Sequence, residues 1–160
     1  MTSAFPTADS AREVPLGAPF YRAPIAVACR RFFQKYATFS GRASLSEYWW
    51  WALVAVVIGL GFRLAEAVEN GGGSTVGTGG EPLLDTSFGT VAIVSLLWAL
   101  ATVVPTLSLL VRRLHDANFS AWMLLVAFVP FIGGLVLFVL TLLPSREAGR
   151  RFDGPLPGSA

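Results

Sequence analysis

The chain has 160 residues, enough for one domain, but 54% are hydrophobic, only 14% are charged, and the mean hydropathy is +0.61. Water-soluble domains carry about a quarter charged residues, whereas here Phe88 to Val111 and Phe119 to Leu143 contain no Asp, Glu, Lys or Arg at all. Disorder, a disulfide scaffold and most soluble enzyme folds are thereby excluded. The net charge of +2 comes from basic residues flanking apolar runs, which points to membrane anchoring and not to nucleic acid.

Residues 1–23 are rich in Pro, Ser, Thr and Ala with scattered charges and read as a disordered tail. No secretory signal is read there, because the apolar stretch Ile25 to Cys29 is too short. Over residues 24–39, Ile25, Ala28, Cys29, Phe32, Phe33 and Tyr36 recur at offsets of three and four. That spacing predicts an amphipathic helix on the membrane surface, with Arg31 and Lys35 away from its apolar side.

The first span is predicted over residues 46–68. Ser44 or Ser46 caps it, Glu47 lies in its first turn, and Tyr48 to Trp51 form an aromatic belt. A Gly-rich linker follows at 70–80. The second span, 88–111, contains Pro105; the third, 119–143, is interrupted by Pro130, Gly133 and Gly134. The expected architecture is all-α and polytopic: a membrane domain over 24–157, with three transmembrane helices after an interfacial helix, and a short end at 158–160.

Six basic residues (Arg30, Arg31, Lys35, Arg42, Arg112 and Arg113) place the amino terminus in the cytoplasm and the Gly-rich loop outside. Three spans then put the carboxyl terminus outside, against the preference of Arg146, Arg150 and Arg151. A re-entrant third segment would satisfy all of them.

Two blocks, Gly41-Arg42-Ala43-Ser44-Leu45-Ser46-Glu47-Tyr48-Trp49-Trp50 and Arg112-Arg113-Leu114-His115-Asp116-Ala117-Asn118-Phe119-Ser120-Ala121-Trp122, carry the chain's most distinctive polar pattern. With Pro130-Phe131-Ile132-Gly133 and Arg151-Phe152-Asp153-Gly154-Pro155 they closely resemble the DUF805 family, bacterial inner-membrane proteins of unknown function. The resemblance implies a polytopic inner-membrane protein and carries over no activity. The chain departs from the family pattern at Leu45, where a basic residue is common, and at its ending, Arg150-Arg151-Phe152-Asp153-Gly154-Pro155, where the family usually has Asn-Arg-(Phe or Tyr)-Gly-Pro.

The candidate site is a cytoplasmic polar cluster of Arg42, Glu47, Arg112, Arg113, His115 and Asp116, expected to hold an anionic headgroup or small anion. On one helix Arg112, His115 and Asp116 would share a face, with Arg113 turned away. The bland alternative gives these residues to helix anchoring and capping, with Asp116 or Ser120 starting the next helix. One His and one Cys make no metal cage, no cofactor is expected, and Ser108 and Ser120 lack the spacing of a nucleophile with its base. The expected role is a structural or interaction component of the cytoplasmic membrane, not an enzyme. A subunit of an oligomeric channel or transporter is the alternative, and a lipid-acting enzyme ranks below it. The expected partner is the lipid bilayer, with self-association through small residues four apart, Ala55 with Gly59 and Ser95 with Ala99.

Overall fold

A computed structural model describes residues 18–69 and 89–153. Among them every regular element is helical: α1 (Ile25–Gln34), α2 (Leu45–Glu69), α3 (Thr90–Asp116), a 3-10 segment (Ala121–Phe128), α4 (Gly133–Leu142) and a second 3-10 segment (Glu147–Phe152). The Gly-rich linker, most of the N-terminal tail and the end at 158–160 lie outside the described residues. The chain forms two compact units, Met1–Ala52 with Val104–Ala160 and Leu53–Val103.

The Leu53–Val103 unit contains the apolar parts of α2 and α3. At 1.5 Å per residue these helices, of 25 and 27 residues, extend about 37 and 40 Å, and both are apolar enough to cross a membrane. Their apolar side chains are largely exposed, Val56, Leu60 and Leu64 on one and Leu96, Leu97 and Leu100 on the other. A surface of that kind is stable against hydrocarbon and costly in water. The helices run antiparallel: Glu69 accepts the backbone N–H of Thr90 at 2.8 Å and of Val91 at 3.0 Å, and Ser95 donates to Glu66 at 3.2 Å. A carboxylate at the first turn of α3 satisfies its orphan amides and complements the helix dipole.

The other unit holds nearly all the buried polar groups. α2 begins with a capping box: the Ser44 hydroxyl accepts from Glu47 N at 3.2 Å, and Glu47 Oε2 accepts from Ser44 N at 3.1 Å. α3 ends in a Schellman motif. Asn118 adopts φ 67°, its N–H reaches His115 O at 2.9 Å, and Phe119 N–H reaches Leu114 O at 2.8 Å. Phe119 also packs on Leu114, the apolar contact that accompanies this cap. The Asp116 side chain is engaged elsewhere; Ser120 stands at the N-cap of the following 3-10 segment, as one of the two expectations had it, but its side chain makes no cap bond.

Residues 119–143 depart most from expectation. They form no single continuous helix but two short arms, the 3-10 segment and α4, joined by Val129 to Ile132. Pro130 supplies the break. It lacks an N–H and bars the preceding residue from helical geometry, and Val129 is extended at φ −77°, ψ 114°. The arms then meet backbone to backbone: a Cβ on Gly133 would lie 2.0 Å from Val126 O, a distance no other residue type tolerates. Met123 and Leu124 of one arm and Leu137 and Leu140 of the other pack around Leu114, so both arms start and finish beside the end of α3. Phe128 and Phe131, near the bend, are exposed.

Two further expectations change. From residue 18 onward the supposed tail is ordered, because Phe20 and Ala23 bury against Ala28, and Phe20 O accepts the Ser44 hydroxyl at 2.7 Å. In α1 the anticipated single apolar side is divided. Ala28 and Phe32 are inside, Phe32 stacked on Trp51 with centroids 3.4 Å apart, while Ile25, Phe33 and Tyr36 are exposed. Arg31 and Lys35, expected away from the apolar side and toward water, are buried beside Phe32.

Candidate functional site

The short connection Gly41 to Ser44, the last turns of α3 and the segment 145–153 converge; the charged side chains of the first two are almost wholly withdrawn from solvent, while Arg146, Glu147, Arg150 and Arg151 of the third are exposed. All six candidate residues are buried. They do not form one pocket; they divide into two groups with different chemistry.

The first group centres on Asp116. Its Oδ2 accepts from Arg113 Nη1 at 2.6 Å and from the Ser145 hydroxyl; its Oδ1 accepts from Tyr21 at 3.3 Å and lies 3.6 Å from Arg42 Nη1. Arg42 in turn grips Asp153 through Nε and Nη2, both at 2.8 Å. Arg113 spends its remaining donors on the carbonyls of Thr141, at 3.0 Å, and Leu143. Two cations thus offset two carboxylates, and both oxygens of each carboxylate are engaged, as a buried ionic group requires. The Asp153 carboxylate holds the Arg42 pKa above its ordinary value, and burial together with the Asp116 charge raises that of Tyr21. Tyr21 is therefore a neutral donor to a charged acceptor.

His115 belongs to this assembly by stacking. Its ring lies parallel to Phe152 at 4.1 Å, and Nδ1 sits 3.3 Å from Gly41 O, so the Nδ1 tautomer carries the proton and donates. Arg151 covers the other face of Phe152, with Cζ 4.6 Å from the ring centroid. Gly149 allows the close approach: a Cβ there would fall 2.5 Å from His115 O. Gly41 N–H donates to Phe152 O at 2.9 Å and Arg146 N–H to Asp116 O at 2.9 Å. The four blocks that carry the family resemblance are brought to this unit, and the departing tail residue Asp153 is the partner of Arg42.

The second group is Glu47, Arg31, Lys35 and Arg112. Arg31 Nε lies 2.5 Å from Glu47 Oε1, and Glu47 Oε2 is taken by the amides of Ser44 and Phe20. Burial pushes Lys35 down to about 7, with Glu47 acting against that shift and Arg31 and Arg112 adding to it. Arg112 is only 1% exposed, yet its Nε and Nη2 have no hydrogen-bond partner. Arg112 and Asp116, expected to act from one face, serve different groups, and Arg113, expected to turn away, is the one paired with Asp116.

Above the Asp116 group opens a cleft of about 280 Å³ lined by Tyr21, Arg42, Ser145, Arg146, Glu147 and Arg150. Arg150 pairs with Glu147 at 3.2 Å on the outside. The lining is cationic, with two hydroxyl groups, and suits a small anionic group. Among the described residues no three His, Cys, Asp or Glu side chains gather as a metal ligand set.

Sequence reasoning missed Arg31, Lys35, Tyr21, Ser145 and Asp153. Only Arg31 and Lys35 carried a usable signal: with Ala28 and Phe32 they follow a spacing of three and four, a mixed face that a wheel sorted by polarity divides wrongly.

The chain is similar to two inner membrane proteins of one bacterium. The chain is 33% identical over 119 residues to the inner membrane protein YhaI of Escherichia coli K12, covering 74% of this chain and 86% of that one. It is 30% identical over 127 residues to the inner membrane protein YhaH of the same organism, covering 79% and 93%. No solved structure matches. The DUF805 family, described as a protein of unknown function, matches residues 36–154, which include both polar blocks, the hairpin and the Asp153 tail, and the chain belongs to that family.

Proposed function

We propose that this protein is a non-enzymatic structural or interaction component of the bacterial inner membrane, crossing it twice through α2 and α3. In this reading residues 119–143 are a re-entrant hairpin that enters and leaves on the cytoplasmic side, and both chain ends are cytoplasmic. The observation that carries it is the bond from Arg146 N–H to Asp116 O at 2.9 Å, which returns the chain after the hairpin to the end of α3. All nine basic residues named above then lie on one side, as topogenic charge demands. Glu66 and Glu69 lie at the opposite end of α2. The surface helix α1 turns Ile25, Phe33 and Tyr36 toward the headgroup boundary while its cations serve the interior.

The cationic cleft lined by Arg42, Arg146 and Arg150 is the contact for anionic headgroups of the inner leaflet. Self-association through Ala55 and Gly59 belongs to the same reading, since a Cβ on Gly59 would meet nothing within 4 Å.

The test is a single cysteine in a Cys29→Ala background. Glu147→Cys is expected to react with a membrane-impermeant maleimide only after spheroplasts are permeabilised. Labelling in intact spheroplasts would place the carboxyl end outside and overturn the two-crossing topology.

A further inference from the structure

Among the described residues four arginines are buried, and three of them have a carboxylate partner. Arg42 has Asp153, Arg113 has Asp116, and Arg31 has Glu47, whose second oxygen is held by two backbone amides. Arg112 is the exception. Its guanidinium is buried to 1% exposure, and Nε and Nη2 are unpartnered. Those two atoms form one edge of the guanidinium, the same edge with which Arg42 takes both oxygens of Asp153. That edge binds two oxygens of one carboxylate or phosphate in parallel.

A buried, charged donor pair left empty is costly, and such groups call for a ligand or ion. The surrounding charge gives the sign and size of the missing partner. Three basic groups, Arg31, Lys35 and Arg112, face one carboxylate, Glu47, an excess of two positive charges when Lys35 is protonated, the form that a bound anion favours. Lys35 registers the same imbalance, since burial among these cations depresses its pKa to about 7.

We propose that Arg112 anchors a buried binding site for a phosphate group, with its Nε and Nη2 edge gripping two phosphate oxygens and Lys35 and Arg31 supplying the balancing charge. A dianionic phosphate matches the excess; a carboxylate would leave one cation uncompensated. The phosphate is either free in the cytoplasm or the monoester headgroup of a lipid. This site is separate from the cationic cleft, with which it shares no residue.

The experiment uses the full chain in two preparations, phosphate-free nanodiscs of phosphatidylcholine alone and nanodiscs that also contain phosphatidic acid. Inorganic phosphate is titrated into the first, and binding is read by phosphorus NMR and by the rise in the thermal midpoint. Saturable binding in the first preparation identifies free phosphate; a phosphorus resonance shifted only in the second identifies the lipid monoester. In either case Arg112→Gln is expected to weaken binding by about tenfold or more, and Arg63→Gln, at an exposed position in neither site, to leave it unchanged. Lys35→Gln is the second variant, expected to weaken binding comparably if Arg112→Gln does not fold. Wild-type protein that binds phosphate from neither source overturns the proposal, as does an Arg112→Gln protein that folds and binds equally well. Equal binding of chloride would also overturn it.

Discussion

Replacing Gly133 by Ala tests the hairpin at the point where its arms touch. The added Cβ would lie 2.0 Å from Val126 O, 3.0 Å from Val126 C and 3.1 Å from Ala127 C, all backbone atoms that no rotamer change can move. An ordinary carbon to oxygen contact is about 3.3 Å, so the arms must separate by more than an ångström. Leu137 and Leu140 would then withdraw from Met123, Leu124 and Leu114. Forced overpacking of this kind costs about 1–3 kcal/mol. Gly134→Ala has the same composition and meets nothing within 4 Å, and it gains up to about 1 kcal/mol of helix propensity. The two isomers should differ by about 2–4 kcal/mol, or roughly 5–10 °C in apparent Tm. Scanning fluorimetry in detergent can follow both, because Trp49 packs edge-on against Phe138 of α4 at 5.7 Å and reports the docked hairpin. Equal midpoints for the two variants, or a lower one for Gly134→Ala, would refute the backbone contact and the hairpin with it.

Asp116→Asn keeps the side-chain volume but leaves buried Arg113 without its carboxylate, and a loss of about 3–5 kcal/mol is expected in denaturant titrations. Lys35 has a pKa of about 7 in the fold against 10.5 when free. Between those values the unfolded chain binds the extra proton, so stability should rise with pH by about 1.4 kcal/mol per unit. Glu47, Arg31 and Arg112 are the charged groups that face Lys35. Lys35→Met in phosphate-free buffer should flatten the slope, and an unaltered slope would assign it elsewhere. Replacing Arg146 and Arg150 together by Gln should lower the affinity for anionic lipid, read in native mass spectra, by about thirtyfold, at about 1 kcal/mol per surface arginine. Unchanged retention would remove the cleft from the lipid contact.

The helical class, the two long apolar helices and a serine cap followed by Glu47 were legible in sequence, because each rests on local spacing, whereas the burial of the polar blocks, expected at the membrane surface, was not. The third span was not. Composition over 119–143 meets the length of a crossing, and only Pro130 and the contact at Gly133 convert it into two arms. The pairing within the cluster was equally hidden, since which of Arg112 and Arg113 meets Asp116 depends on what α1 and segment 145–153 bring against α3. In α1 polarity misled. Glu47 and the capping residues draw Arg31 and Lys35 inward, and the aromatic residues are left outside.

Asp116 takes bonds from Tyr21 and Ser145 as well as Arg42, and Arg42 closes onto Asp153 across 111 positions of sequence. Contacts so distant along the chain cannot form until residue 153 has been synthesised. The two long helices are therefore available to the insertion machinery well before the polar assembly that ties them exists. During that interval the charges of Arg42, Arg113 and Asp116 remain open to water, where they can direct orientation. Their closure then locks an arrangement already chosen, so that one set of side chains acts first as a signal for insertion and afterwards as a clasp.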